Sequence, residues 1–510
     1  MSFGIALAAV ALSGFISLSY EILWYRAVSL ASGGSPVSFG LLLGFYLLGL
    51  ALGARLAGLW CRTANGKGQS RLLRGTAMFI LSANAIGYLV LPAFAFFGAY
   101  GVWVAALILA MVAAGMFGAV LPLISHFAVE ANRLAGRSVA YLYVSNIVGS
   151  VLGSFLTGFM LLDVLPLQSI ALLLALMGSA VAMALLLLSR PAPVWLLGGW
   201  VGTAVVAGAT IGGNQLAFEH FYERLIFGNN AAQLPPFSEV VENRSGVITV
   251  TPDGTIYGSG AYDGRITTDL REDRNFIVRA YSVAALHPDP RQVLMIGLAG
   301  GAWAQVVANH PSVEKLTIVE INPGYVEIIA RHPKVASLLQ NPKVEVIIDD
   351  GRRWLRRHPD RRFDLIVANT TQHWRAHATN LLSVEFLEIV KRHLVPGGVY
   401  YFNTTYHPAA LKTAMTVFPH GLLVINFAAV SSEPMTFDRS RFRQVLVDYR
   451  IDGRPPLDVA IPTDAARLDS VVNLRLVVDR KRILAGLDSV SLITDDNMLT
   501  EWHPRPERWE

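Results

Sequence analysis

Two short segments combine residue types and spacings suited to holding a nucleoside. Val293-Leu-Met-Ile-Gly-Leu-Ala-Gly-Gly301 runs an apolar strand into a glycine-rich turn, and Ala302–His310 then reads as a helix. Glycines let a backbone approach a ligand closely, and a helix N-terminus favours polar or anionic groups. Leu316-Thr-Ile-Val-Glu320 is a second apolar strand closed by a carboxylate, which at that position can grip a ribose diol. A third strand, 344–348, ends in Asp349-Asp-Gly351, where a carboxylate can accept a hydrogen bond from an adenine amino group. Gly297, Gly300, Gly301, Glu320, Asp350 and Gly351 are therefore the candidate nucleoside ligands.

A fourth strand, 364–368, opens into Asn369-Thr-Thr-Gln-His-Trp-Arg-Ala-His377. Ligands of doubly wound sheets sit at the carboxyl ends of the strands, so this polar stretch is where chemistry is expected. Its candidate catalytic residues are Asn369, His373, Arg375 and His377. A neutral histidine is a competent base near pH 7. An arginine fork binds carboxylate or phosphate through two hydrogen bonds. Asn369 is suited to hydrogen bonding a donor or acceptor rather than to proton transfer. Loop orientation is the competing role for all four. On a helix His373 and His377 would share a face, but the sequence places no third ligand, and no metal is expected.

These segments belong to a regular alternation. From Arg291 onward, strands 293–296, 316–320, 344–348 and 364–368 interleave with helices near 302–309, 323–331, 383–393 and 408–417. That pattern predicts a parallel sheet with helices on both faces. Upstream, Gly246–Thr251 and Thr255–Tyr257 flank Pro252-Asp-Gly254 as a hairpin, giving a small subdomain over 241–290. Residues 214–240 read as a connector, amphipathic over Glu219–Phe227.

The first 213 residues are of another kind. The 510-residue chain has a mean hydropathy of +0.44, yet most of its charge lies beyond residue 216. Stretches near 3–25, 36–60, 76–97, 101–129, 138–162, 167–189 and 194–213 are long enough to cross a bilayer, which needs ~20 apolar residues. A transmembrane bundle of about seven helices over 1–213 is the expectation. The first stretch lacks a basic n-region and is no cleavable signal. Gly40/Gly44, Gly49/Gly53 and Gly149/Gly153 with Gly158 allow close helix contact. Glu21 and Arg26, five residues apart, are candidates for a pair at the membrane boundary, with Glu21 facing a polar substrate as the alternative; Arg55 and Asp163 lie near span ends.

Loops 61–75 (Arg62, Lys67, Arg71, Arg74) and 130–137 (Arg133, Arg137) carry the basic residues, which places them in the cytoplasm. Seven spans would then put the C-terminal half outside, an awkward place for an enzyme needing a cytosolic nucleoside, so a span count too high by one is favoured. The net charge of +5 suggests no nucleic-acid partner, and the single Cys61 excludes an internal disulfide.

The order glycine loop, Glu320, Asp350-Gly351 and polar fourth-strand loop resembles the Rossmann-like methyltransferase fold. More narrowly it resembles the spermidine synthase (polyamine aminopropyltransferase) family. Tyr262-Asp-Gly-Arg-Ile-Thr267 stands where that family has Leu-Asp-Gly-x-x-Gln. Val293–His310 matches its strand, loop and helix without a gap; Val319-Glu-Ile321 and Phe363-Asp-Leu-Ile-Val367 match its next strands. The chain resembles in particular bacterial members with an N-terminal multi-span region. The resemblance implies a fold made of an N-terminal α-helical multi-span membrane bundle and a C-terminal α/β Rossmann-like (class I methyltransferase/spermidine synthase-like) domain, 291–510, with a small β-hairpin subdomain before it. It further implies S-adenosylmethionine or decarboxylated S-adenosylmethionine as donor substrate, a bacterial inner membrane location and a possible homodimer.

The departures fall on the chemistry. Where the family's Gly-Gly-Gly-Asp-Gly-Gly loop uses its Asp to hold the donor's aminopropyl amine, this chain has Gly300. Where its Asp-Ser-Thr-Asp-Pro loop supplies catalytic acids, this chain has Asn369-Thr-Thr-Gln-His373, and the upstream Gln is Thr267. An amide cannot take a proton from an ammonium group. The expected function is an integral-membrane transferase moving an aminopropyl-type alkyl group to a small-molecule or lipid-like acceptor, with ordinary spermidine synthesis disfavoured. Methyl or 3-amino-3-carboxypropyl transfer, with Arg375 on a carboxylate, is one alternative; a non-catalytic nucleoside- or polyamine-sensing domain regulating the bundle is the other. The run Arg352, Arg353, Arg356, Arg357 reads as a solvated helix face or an anionic-lipid contact, and Thr494-Asp-Asp-Asn497 resembles a tail of the membrane-fused relatives.

Overall fold

The computed structural model describes residues 2–63, 69–130, 132–189, 193–369, 372–473 and 477–502. Lys67 of the basic loop and Thr370 and Thr371 of the candidate catalytic loop lie outside the described residues. The chain divides into two compact units: 1–33, 37–237 and 242–247 form one, and 34–36, 238–241 and 248–510 the other. The 214–237 part of the connector thus belongs to the first unit.

The first unit is helical: α1 Phe3–Ala31, α2 Val37–Thr63, α3 Gln69–Ala99, α4 Trp103–Ala128, α5 Ala135–Leu156, α6 Leu167–Leu188 and α7 Pro193–Gly212. Helix α5 runs on through a π-turn, Thr157–Leu161, into Leu162–Val164. Among the described residues six helices are long and apolar enough to cross a membrane, ending with Leu167–Leu188. The seventh expected span corresponds to α7, a 20-residue helix whose described apolar stretch is Leu197–Gly212.

Small residues set the closest helix contacts. A side chain at Gly149 or Gly153 would run into the backbone of Ala11 or Phe15 on α1, and one at Gly49 or Gly53 into Met111 or Gly115 on α4. Gly40 and Gly44 face open space instead, and Gly158 only approaches Ile22. Buried polar groups are paired across helices, as by Ser17 with Tyr46 at 2.7 Å and by Thr157 donating to Ser19 at 2.8 Å. The expected Glu21–Arg26 pair does not form. Arg26 instead donates from one terminal nitrogen to the carbonyls of Asn243 and Gly246, the latter at 2.6 Å, two acceptors that lie closer to it than Glu21. Asp163 accepts from the Arg244 N–H at 2.9 Å.

The second unit holds the large sheet and the greater part of a small one. Strands β1 Glu239–Asn243, β2 Gly246–Val250, β3 Thr255–Gly258 and β4 Ala261–Arg265 form the small sheet in that order. The large sheet comprises β5 Gln292–Ile296, β6 Lys315–Glu320, β7 Val344–Ile348, β8 Phe363–Ala368, β9 Leu394–Asn403, β10 His420–Val424, β11 Phe427–Ser431 and β12 Val477–Asp479. Its order is β12-β10-β11-β9-β8-β5-β6-β7. Strands β7, β6, β5, β8 and β9 are mutually parallel, and the switch point lies between β5 and β8. Apolar clusters cover both faces, consistent with the unbroken apolar runs of β5 and β8.

Helices that face the site are α8 Val278–Tyr281, α9 Ala302–Ala308, α10 Gly324–Arg331, α11 Gly351–Arg357 and α12 Val384–His393. Side-chain caps fix two of their starts, Asp350 accepting from Arg353 N–H at 2.7 Å and Ser383 from Phe386 N–H at 3.2 Å.

Candidate active site

The glycine loop leaves β5 through left-handed backbone at Gly297 (φ 88°), Ala299 (φ 45°) and Gly301 (φ 77°). Glu320, at the carboxyl end of the neighbouring strand β6, fixes its shape. One carboxylate oxygen accepts the Leu298 N–H at 2.7 Å and the other the Asn322 N–H at 2.8 Å. Burial pushes the Glu320 carboxyl up to about 7, against the pull of these amides. The residue thus stands at the expected strand end, where its first task is to hold the loop.

The three other glycines of the set serve close packing. A side chain at Gly300 would meet Ile256 and Ile266 of the small sheet, at 2.5 and 3.0 Å; at Gly301 it would meet Ile329, and at Gly351 Ile296 of β5. Gly300 therefore faces an apolar wall, and a side chain there would have to displace the tip of Ile256. Asp350 caps α11, and neighbouring Asp349 pairs with Arg353. Two apolar residues that sequence reasoning passed over flank this edge. Ile321 is 61% and Ile348 48% exposed, at the ends of adjacent strands β6 and β7, and they offer apolar surface on which a flat base can lie.

A polar cavity of about 110 Å³ opens at the β5/β8 switch point. Asn369, Gln372 and Arg375 line it from the loop after β8, Asp263 and Tyr262 from β4, Asn275 from the segment entering α8 and Arg279 from α8 itself. Asn403 ends β9 and Asn426 precedes β11, so both strand ends turn an amide toward it. The amides are tied together: Asn426 donates to Asn403 at 2.8 Å, and Arg279 donates to Asn426 at 2.5 Å. Asp263 accepts a hydrogen bond from the Tyr325 phenol. Burial raises its carboxyl above the usual range, while Tyr325 and the nearby Arg375 pull it down.

Of the four candidate catalytic residues, Asn369 and Arg375 line this cavity and the two histidines are placed elsewhere. His373 is buried, with Nδ1 2.8 Å from Thr405 Oγ1 and its ring 4.3 Å from that of His407. His377 is exposed, in left-handed backbone (φ 67°), and its N–H is held by Glu501 at 3.0 Å. Among the described residues no three of His, Cys, Asp and Glu gather as metal ligands. Asp263, Asn275, Arg279, Asn403 and Asn426 were not singled out from sequence. Only Asp263 had a signal, inside Tyr262-Asp-Gly264; the others come together from distant strands.

The C-terminal acids bind the loop's continuation. Asp495 takes Arg352 through two hydrogen bonds, at 2.8 and 2.5 Å, and also accepts from Ser383 at 2.7 Å. It is therefore engaged within the unit, and Asn497 and Thr494 close a turn around it.

Residues 280–417 match the spermine/spermidine synthase domain. A polyamine aminopropyltransferase of Desulforudis audaxviator is 33% identical over 141 residues, 26% of this chain and 50% of that protein. One of Aeropyrum pernix is 32% identical over 187 residues, 34% of this chain and 58% of that protein. The chain thus spans little more than half the length of these two relatives. Polyamine aminopropyltransferase 2 of Streptomyces coelicolor is 26% identical over 424 residues, 77% of this chain and 72% of its own. A crystal structure of spermidine synthase with the transition state analogue AdoDATO aligns over 44% of this chain and 80% of its own, at 19% identity and a TM-score of 0.33.

Proposed function

We propose that the second unit is a transferase. It takes S-adenosylmethionine or decarboxylated S-adenosylmethionine as donor substrate and moves the donor's alkyl arm, aminopropyl in the relatives' reaction, to an amine or membrane-associated acceptor. The observation that carries this reading is the polar cavity at the β5/β8 switch point, bordered by Trp303 just after the glycine loop and by Asn369, Arg375 and Asp263.

A sulfonium donor supplies an electrophilic carbon. The acceptor's lone pair forms the new bond to it while the carbon–sulfur bond breaks, and that electron pair stays on the released thioether nucleoside. An ammonium acceptor must also lose a proton. With amides at Asn369 and Gln372, the carboxylate that lines the cavity is Asp263, and its burial-raised affinity for protons suits it as acceptor of that proton. Asn369, Gln372 and Asn403 orient the reacting groups by hydrogen bonding, and alignment supplies much of the rate of such a displacement. Glu320 and the glycine loop shape the nucleoside's wall, and Ile321 and Ile348 receive its base.

Six crossings, with the basic loops 61–75 and 130–137 inside, would bring the C-terminal unit to the cytoplasmic side, where both donors are made available. In this reading α7 does not cross. The test is release of methylthioadenosine or S-adenosylhomocysteine by the full chain in nanodiscs, with each donor and a panel of amines. Failure to bind either donor or methylthioadenosine would sink the reading.

A further inference from the structure

The cavity wall carries two guanidinium groups and one carboxylate. Arg279 donates from Nε to the Phe276 carbonyl at 2.9 Å, and from its two terminal nitrogens to Asn426 Oδ1 at 2.5 Å and the Asn275 carbonyl at 2.7 Å. All three acceptors are neutral, and two of its five N–H groups remain. The guanidinium lies 5.0 Å over the Phe427 ring and 5.8 Å over Trp303, which hold it in place without cancelling its charge. Burial lowers its pKa, the mark of a cation that an anionic partner would relieve. Arg375 lines the same space, and among the described residues neither arginine forms an ion pair. Asp263, the carboxylate that lines the cavity, is held by Tyr325, and Asp273, beyond the lining and held by the Ile277 and Val278 N–H groups, raises the Arg279 pKa only in part.

This wall is wrong for a polyamine, whose several ammonium groups would enter a site already carrying two cations. It is right for a carboxylate, which two arginine forks and a set of amides can bind through several charge-assisted hydrogen bonds. At about 110 Å³ the cavity is also far below the ~300–1,000 Å³ of whole-ligand pockets, and so takes an arm rather than an entire nucleoside.

We propose that Arg279 and Arg375 bind the carboxylate of an amino-acid-type arm in this cavity. The assignment rests on the transferase reading for what the site does. Two sources share this chemistry: the amino-acid arm of S-adenosylmethionine itself, which its decarboxylated form lacks, and an amino-acid acceptor bound beside a nucleoside.

The test is calorimetric titration of the full chain in nanodiscs, wild type and the variants Arg375→Gln and Arg279→Gln. Ligands are methylthioadenosine, S-adenosylmethionine and decarboxylated S-adenosylmethionine, then glutamate and putrescine with and without methylthioadenosine. A preference of at least ~10-fold for S-adenosylmethionine over its decarboxylated form, lost in both variants, assigns the carboxylate to the donor. Equal donor binding with an arginine-dependent preference for glutamate over putrescine assigns it to the acceptor. Tighter binding of the decarboxylated donor, or of putrescine over glutamate, overturns the proposal while leaving the transferase reading intact. Absence of methylthioadenosine binding removes that reading instead, and the glutamate and putrescine titrations without nucleoside still decide the arginine assignment. Arg375, which among the described residues makes no side-chain bond to the backbone, guards against a misfolded Arg279 variant.

Discussion

Glu501 reaches the backbone N–H of Thr379 at 2.9 Å, although 122 residues separate them, and its second oxygen takes the N–H of His377. The carboxylate is 4% exposed and also accepts from the Thr379 hydroxyl. The loop that carries Arg375 is thereby fastened at its far end by a residue close to the C-terminus.

Replacing Glu501 by Ala leaves the buried Thr379 N–H without its acceptor, worth roughly 1–3 kcal/mol, and frees the part-buried His377 N–H as well. The variant should melt earlier than wild type, and hydrogen exchange at His377 and Thr379 should quicken while that of β5 and β8 stays slow. Unchanged exchange at those two amides would remove the fastening role.

Glu320 should give stability a pH dependence that its Gln variant lacks. Its folded pKa of about 7 lies above the unfolded value of 4.5. The contribution of the protonated form is therefore fully present below pH 4.5 and lost as pH rises through 7. That window spans about 3 kcal/mol by linkage. Denaturant unfolding of wild type against Glu320→Gln between pH 4.5 and 8 reads it directly: the wild type should fall relative to the variant as pH rises.

Gly300→Asp would restore the acid of the related loops, and sequence comparison alone would expect it to restore amine binding. The wall of Ile256 and Ile266 argues the reverse. A charged group pressed against two buried isoleucines should cost stability, by roughly 1–3 kcal/mol, and leave putrescine binding no better than in wild type. A gain in putrescine affinity would show that the wall yields.

Sidedness follows from the count of crossings. A reporter enzyme fused after the C-terminus should be active on the cytoplasmic side when α1 to α6 cross and α7 does not. Activity of an external reporter would mean that α7 crosses as well.

The parallel half of the large sheet was legible in sequence because strands buried on both faces write themselves as apolar runs between glycine turns, as Val293–Ile296 and Leu365–Ala368 do. Strand β9 was not. Its Pro396-Gly-Gly398 reads as a turn, yet it forms a bulge at the strand's start, where pairing with β8 jumps from Phe363–Leu394 to Leu365–Val399. Antiparallel β10 and β11 meet at a two-residue connection, Ile425-Asn426, without the usual glycine, so no hairpin signal marked them. The candidate site divided likewise. Asn369 and Arg375 were found because they follow a strand whose end is a known place for ligands. Arg279, Asn275 and Asn426 come from segments whose local sequence says nothing of a cavity; only the crossing of β4, α8 and β11 brings them together. The histidines drew attention by type and spacing; His373 meets Thr405 through its ring nitrogen, whereas at His377 it is the backbone N–H that Glu501 holds.

Asp263 is the proton acceptor of the transfer reaction proposed for the switch-point cavity. The most direct measurement is the rate of methylthioadenosine release by the full chain, wild type against Asp263→Asn, with S-adenosylmethionine and its decarboxylated form in the presence of amine and amino-acid acceptors. The account predicts release by wild type that drops about 10²–10⁴-fold in the variant, while methylthioadenosine binding persists. Release undiminished by the substitution, or none from either donor with any acceptor, would contradict it.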